Sequence, residues 1–185
     1  MISAILRDKQ FRFETKSGLF SKDTIDIGSR LLIDKMNISI TDVVLDLGCG
    51  YGAIGLVAAY LASQGRVWMV DTDIRAIKYS KINAKLNGIP NVEVVDSDGF
   101  ENVPSDMIFN VILSNPPSHQ PKETVIEFIE QAKMRLKDKG KIYFVTENRI
   151  RPMIKREFER VFENYELLAT SKQYAISLAV KQVLV

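Results

Sequence analysis

The sequence predicts a doubly wound α/β domain built on a mostly parallel sheet of seven strands. Three observations predict it. Short apolar runs alternate with helical stretches from Val43 onward, the first run opens into a cluster of glycines, and the last two runs follow each other with no helix between them. Such alternation places helices on both faces of a parallel sheet, and the closing pair adds antiparallel strands at one end.

The elements follow in order. Val43 to Leu47 is a continuous apolar run with one acid, read as a buried strand, and the small and apolar stretch Gly52 to Ser63 is read as a helix packed on the sheet. Arg66 to Val70 is the second strand. Asp73 to Asn87 is an amphipathic helix, with Asp73 as its cap and Gly88 and Pro90 as its stop. Val92 to Val95 and Met107 to Leu113 are the third and fourth strands. Thr124 to Leu136 has its apolar residues on one helical face, Lys141 to Thr146 is the fifth strand, and Met153 to Phe162 is another helix. Tyr165 to Ala169 and Tyr174 to Val180 form the closing pair around Ser171-Lys172-Gln173. Ahead of the sheet, Phe11 to Thr15 alternates like an exposed strand or hairpin arm, Gly18 to Asp23 is turn-like, and Ile27 to Met36 is helical. No linker or repeat divides the chain, so residues 1–185 are expected to be one domain, with 1–40 an extension of the core at 41–185.

Composition narrows the function. Hydrophobic residues make up 46% and charged residues 26% of 185, which fits a folded domain. A net charge of +2 forces no nucleic-acid reading by itself. One cysteine and one histidine exclude an internal disulfide and a Cys- or His-rich metal site, so no metal is expected. The N-terminus is too short in apolar residues for a secretory signal and no stretch spans a bilayer, so a cytoplasmic protein is expected, without membrane contact.

Two motifs carry chemistry. The first is Asp46-Leu47-Gly48-Cys49-Gly50-Tyr51-Gly52-Ala53-Ile54-Gly55, at the carboxyl end of the first strand, where open α/β sheets bind ligands. Glycines let the backbone bend and approach a ligand, and the following helix offers free N–H groups. Two ligands fit. Gly50 to Gly55 matches the G-x-G-x-x-G dinucleotide pattern, and Asp71 lies where a ribose-binding acid would sit. S-adenosylmethionine fits as well, with Asp46 preceding the glycines and Asp71 again on the ribose hydroxyls. A bare tight turn needs neither three glycines nor the flanking acid. Cys49 is explained by its small size.

The second motif, Ser114-Asn115-Pro116-Pro117, ends the fourth strand. Its two prolines fix the backbone and remove two donors, so nearby carbonyls stand as rigid acceptors. With the Asn115 side-chain carbonyl they can grip a planar NH₂ by both hydrogens and aim its lone pair at a methyl group on a sulfonium. Positioning then supplies most of the catalysis, with no strong base at the start. Asn-Pro-Pro alone also ends a strand as a plain turn; paired with the glycine loop, it selects methyl transfer.

With both motifs in view, the sequence resembles class I S-adenosylmethionine-dependent methyltransferases of the "methyltransferase small" family, the ribosomal RNA guanine-N2 methyltransferases, and their stand-alone archaeal members. The resemblance covers nearly the whole chain. It implies a Rossmann-like sheet, with the N-terminal segment from Gly18 through Gly28, including Phe20 and Ser21, lying over the cofactor. It implies cofactor contacts at Asp46, Gly48, Cys49, Gly50, Gly52, Asp71 and Thr72, at Asp98 and Gly99, with Asp98 facing the adenine, and at Asn115. Asn115, Pro116 and Pro117 match the family's catalytic motif. The chain departs from many relatives by having Ser118 where they carry an aromatic, which leaves Phe20, Tyr51 or His119 to stack on a base.

The implied partner is RNA, ribosomal RNA or a ribosomal-subunit intermediate. Lys122, Arg149, Arg151 and His119 are its candidate contacts. Nine basic residues between Lys133 and Arg156 read equally as an RNA surface or a solvated face. Other readings stand beside this one: methyl transfer to a protein glutamine amide, adenine N6 or a small molecule; an NAD-dependent oxidoreductase, which leaves Asn-Pro-Pro without a role; and a non-catalytic binding protein.

Overall fold

The computed structural model describes residues 1–16, 18, 21, 23–117 and 120–183. The chain opens with a hairpin, β1 (Ile2–Leu6) and β2 (Lys9–Phe13), and helix α1 (Ile27–Lys35). The core then runs β3 (Val43–Leu47), α2 (Ala53–Leu61), β4 (Arg66–Asp71), α3 (Ile74–Leu86), β5 (Val92–Asp96), β6 (Phe109–Ser114), α4 (Lys122–Arg135), β7 (Leu136–Glu147), α5 (Arg151–Phe162), β8 (Glu166–Thr170) and β9 (Tyr174–Val180). The sheet order is β5-β4-β3-β6-β7-β9-β8. The first five strands in that order pair in parallel, and β9 pairs antiparallel with both β7 and β8. Chain order reverses between β3 and β6, and there the two motif-bearing loops emerge side by side.

Alternating strand residues serve opposite faces. Val44, Val67, Met69, Val111 and Val145 pack with α1, α2 and the hairpin, whereas Leu45, Leu47, Val70, Ile112 and Phe144 pack with α4 and α5. On the second face Phe144, Phe158 and Phe162 meet edge to face at centroid separations of 5.7 and 5.8 Å. Among the described residues no helix is long and apolar enough to cross a membrane.

Two elements differ from expectation. The alternation at Phe11 to Thr15 forms a hairpin arm, one of its two readings, which ends at Phe13, and its apolar face is not exposed. Phe11 and Phe13 are fully buried, against Tyr60 and Tyr51. The preceding strand, β1, pairs with it through a two-residue turn at Arg7 and Asp8, both left-handed, a geometry that matches strand twist. The second difference is at residues 136–147. Leu136, the extended C-cap of α4, already starts β7 and pairs with Phe109, and a register shift between Phe109 and Val111 absorbs the loop to Lys141.

The hairpin is fastened to α3 by two asparagines. Asn83 Oδ1 accepts from Glu14 N–H at 2.7 Å, and its Nδ2 donates to the Glu14 carbonyl at 3.0 Å and to the Tyr51 carbonyl at 2.9 Å. One turn on, Asn87 exchanges the same pair of bonds with Arg12 at 2.9 and 2.7 Å. The match is metric: four helical residues rise about 6 Å and two strand residues about 6.7 Å, so each side chain meets a strand residue of like orientation. Asn83→Ala is therefore expected to destabilise the protein by about 3 kcal/mol, because three backbone groups lose their partner, the Tyr51 carbonyl among them in the interior; urea denaturation of the two proteins measures it.

Candidate active site

The loop between β3 and α2 has few side chains of its own, and its neighbours shape it. Gly48, Gly50 and Gly52 are all left-handed, with φ of 78°, 56° and 97°, a conformation that costs glycine nothing. Both Gly48 and Cys49 donate from the backbone to the Val70 carbonyl at 2.9 Å. Gly50 N–H donates to Asp71 Oδ2 at 2.8 Å, and its carbonyl accepts from the Ser80 hydroxyl at 2.8 Å. Asn83 holds the next carbonyl, that of Tyr51. Asp71 Oδ1 accepts from Asp73 N–H at 2.9 Å, which leaves each carboxylate oxygen a second lone pair.

Asp46 lies beneath the loop, completely buried. Its Oδ2 stands where a Cβ on Gly55 would come within 2.8 Å, so a glycine is required there. Neither carboxylate oxygen has a partner of hydrogen-bond geometry among the described residues, though the Gly55 N–H faces it. Burial pushes the carboxyl up to about 7, the Gly55 N–H pulls the other way, and the Asp71 charge adds to the rise. Burial, then the Asp46 and Asp71 charges, also push the Cys49 thiol well up, so it stays protonated and is no nucleophile.

The end of β6 meets the start of α1. Asn115 Nδ2 donates to Asp26 Oδ2 at 3.0 Å and to the Ser29 hydroxyl at 2.9 Å. Asp26 also caps α1, accepting from Ser29 N–H at 2.8 Å, and its Oδ1 accepts from the Tyr174 hydroxyl at 3.4 Å. An anionic acceptor fixes which way the amide turns: the NH₂ faces Asp26, and Oδ1 is left without a described donor. Gly28 makes this packing possible, because a Cβ there would stand 3.0 Å from both Asp26 Oδ2 and a Tyr174 ring carbon. The Pro117 carbonyl is taken by Gln120 N–H at 3.1 Å. Within the Asn-Pro-Pro loop itself, neither Asn115 Oδ1 nor the Pro116 carbonyl has a donor among the described residues.

A cavity of about 250 Å³ joins the two loops. Of the residues predicted for the site, it brings together Gly48, Cys49, Gly50, Asp71 and Thr72 at one end, with Asp98 and Gly99 beside them. Asn115, Pro116 and Pro117 line the other end. Tyr51, one of the expected stacking aromatics, lines it as well. Asp46 and Gly52 lie behind the loop rather than on the cavity wall, and Ser21 does not reach it, its hydroxyl donating to the Thr24 carbonyl. Lys122, Arg149 and Arg151 are also off the wall, which Glu147 and Ile150 occupy in their neighbourhood. Phe20 and His119 lie outside the described residues. Sequence reasoning missed Ser29, Tyr174 and Phe128 as lining residues. The first had a visible signal, the helix-capping pattern at Asp26; Tyr174 and Phe128 arrive by tertiary packing alone, with Phe128 filling the space a Cβ on Gly99 would need.

A doubly wound sheet with this glycine loop at its switch point and Asn-Pro-Pro on the adjacent strand is a Rossmann-like methyltransferase fold. The chain belongs to the methyltransferase small domain family, whose model matches residues 10–177. It is 38% identical over 178 residues to the uncharacterized protein YbxB of Bacillus subtilis, covering 95% of this chain and 89% of that one. It is 33% identical to the ribosomal RNA small subunit methyltransferase C of Hamiltonella defensa, covering 91% of this chain and 50% of that one. In fold it resembles a T. thermophilus 16S rRNA N2 guanine methyltransferase solved with AdoMet and guanosine, at a TM-score of 0.88 and 24% identity, covering 97% of this chain and 50% of that one. The chain thus spans about half the length of the ribosomal RNA methyltransferases it matches.

Burial of Asp46 makes stability depend on pH. Its folded value, about 7, lies above the ordinary 3.8, so the folded state holds the proton more tightly. The contribution of Asp46 to stability is greatest below about pH 4 and is lost as pH rises through 7, by up to about 4 kcal/mol. In the cofactor-free protein, Asp46→Asn is expected to match wild type near pH 4 and to exceed it at pH 8. Denaturation curves at both pH values test this, and equal stability at pH 8 would contradict it.

Proposed function

We propose that this chain is an S-adenosylmethionine-dependent N-methyltransferase that modifies the exocyclic N2 of a guanine in ribosomal RNA, in the cytoplasm. One observation carries the reading: the Asn115 amide is held through its NH₂ by Asp26 and Ser29, which presents its carbonyl oxygen beside Pro116 in the cavity. A pair of rigid acceptors suits a planar NH₂, whose two hydrogens they accept. Family membership and the names of the ribosomal RNA methyltransferase relatives support RNA as the class of substrate.

The residues present fit the cofactor. A Cβ on Gly48 or Gly50 would meet no atom within 4 Å, so the loop backbone fronts open space. Asp71 has lone pairs for two vicinal ribose hydroxyls, Gly48 to Gly50 would lie along the amino-acid portion, and Asp98 and Gly99 would flank the adenine. When bound, S-adenosylmethionine supplies an electrophilic methyl group on a sulfonium. The chain supplies position: Asn115 Oδ1 and the Pro116 carbonyl accept the two hydrogens of the target amine and leave its lone pair aimed into the cavity. The amine becomes more acidic as its new bond forms, and its proton passes to solvent. A base inside a duplex has to be flipped out to reach this depth.

Asp71→Ala is expected to weaken S-adenosylmethionine binding by about a hundredfold or more, since charge-assisted hydrogen bonds contribute about 1.5–3 kcal/mol each; calorimetry reads it, and unchanged affinity would remove the assignment. Asn115→Ala is expected to lower kcat on unmodified ribosomal RNA by about 10²–10³-fold, with a much smaller loss of cofactor affinity. If Asp26 acts by aiming Asn115, Asp26→Ala lowers kcat by about tenfold or more in the wild-type background, and Asp26→Asn, which keeps the helix cap and an acceptor, restores most of it. In the Asn115→Ala background the same Asp26→Ala change has little further effect on kcat.

A further inference from the structure

The cations available to a polyanion are not where the sequence concentrates them. Of the nine basic residues between 133 and 156, six are already engaged. Lys133, Arg135 and Lys137 donate to the Val161 carbonyl, to carbonyls between Val103 and Met107, and to Asn110 Oδ1. Arg149 pairs with Glu147, Lys155 with Glu159, and Arg156 with Glu157. Helices α4 and α5 interleave acids with their bases, which cancels their field at the distance of a partner's backbone.

Helix α3 differs. Its thirteen residues contain Arg75, Lys78, Lys81 and Lys85 and not one acid. Only Arg75 is paired, with Asp73. Lys78, Lys81 and Lys85 are exposed, and none forms an ion pair with a described residue. Their spacing of three and four residues sets them on one stripe about 10 Å long. They rim a shallow groove floored by Ile74, Ile77 and Ile82, and Ile74 is 70% exposed. The adjoining hairpin arm adds Arg12, exposed and held against Asn87, with Glu14 as the acid beside it. The helix starts at the rim of the cavity, two residues after Thr72, which lines it.

From this geometry we infer that the Lys78–Lys81–Lys85 stripe is a docking surface for the phosphate backbone of the RNA whose base occupies the cavity. The inference rests on the RNA reading above and adds where the strand runs. Three ammonium groups of one sign on a rigid helix suit successive phosphates, which position an RNA without reading its sequence. The apolar floor accommodates sugar faces and the lysine stems.

The test uses the full chain and in vitro transcribed small- and large-subunit ribosomal RNA without modifications. Lys78, Lys81 and Lys85 are changed together to Gln, and separately to Glu. Expected are unchanged S-adenosylmethionine affinity and thermal midpoint, RNA affinity weakened about tenfold or more, and a slope of log affinity against log salt reduced by about two to three for the Gln variant. The Glu variant loses more, and KM for RNA rises with it. If wild type binds and methylates RNA while both variants keep its slope and KM, the docking surface is overturned, the RNA reading survives, and the stripe is left to a protein partner or to solvent. If wild type neither binds nor methylates RNA, the RNA reading and the inference fall together.

Discussion

Three left-handed glycines between β3 and α2 are the constraint on which the rest of the site depends. A loop in that conformation has almost no side chains to brace it, so its shape is imposed by what surrounds it: the Val70 carbonyl, the Asp71 carboxylate, the Ser80 hydroxyl and the Asn83 amide. All four lie on β4 or α3, the next two elements along the chain. The unit that forms the pocket floor is therefore one β-α-β-α segment braced against itself. The N-terminal hairpin in turn is docked on the same α3 through Asn83 and Asn87, so the loop, the helix and the hairpin share one set of fastenings.

The other half of the pocket is organised by a carboxylate outside the sheet. Asp26 caps α1, turns the Asn115 amide and accepts from Tyr174, so a single side chain links an element ahead of the sheet, its central strand and its last strand. This explains why an amide suits position 115: a carboxylate there would face Asp26 with like charge, whereas an amide offers it a donor. The two halves have opposite characters. Backbone amides and one acid shape the glycine-loop end, and side-chain polarity sets the direction of the Asn115 end.

Most of the architecture was legible in the sequence because buried parallel strands are apolar runs and the site lies in the loops that end them. The glycine loop, Asp71 and Asn-Pro-Pro were all visible for that reason. What was not legible was set by packing between distant elements. The exposure assigned to Phe11 to Thr15 failed because alternation shows that a strand has an apolar face, not what covers it; Tyr51 and Tyr60 cover this one. Asp46 was visible as an acid before glycines, yet its depth follows from the close approach of Gly55, which no local pattern reveals. The basic window from 133 to 156 read equally as an RNA surface or a solvated face, and its ion pairs, Arg149 with Glu147, Lys155 with Glu159 and Arg156 with Glu157, are with acids no more than four positions away.

The reach of Asp26 also bears on how the protein assembles. Its bond to Asn115 closes a loop of 89 positions, and its bond to Tyr174 closes one of 148, nearly the whole chain. Contacts of such sequence separation carry a larger loop-closure cost than the local strand–helix units that brace the glycine loop. During synthesis the segment that braces the glycine loop is complete once α3 is made, whereas the bond of Asp26 to Asn115 waits for residue 115 and its bond to Tyr174 for residue 174. The floor of the cavity is thus a local product of the chain, and its opposite wall is tied in only as the last strand is laid down.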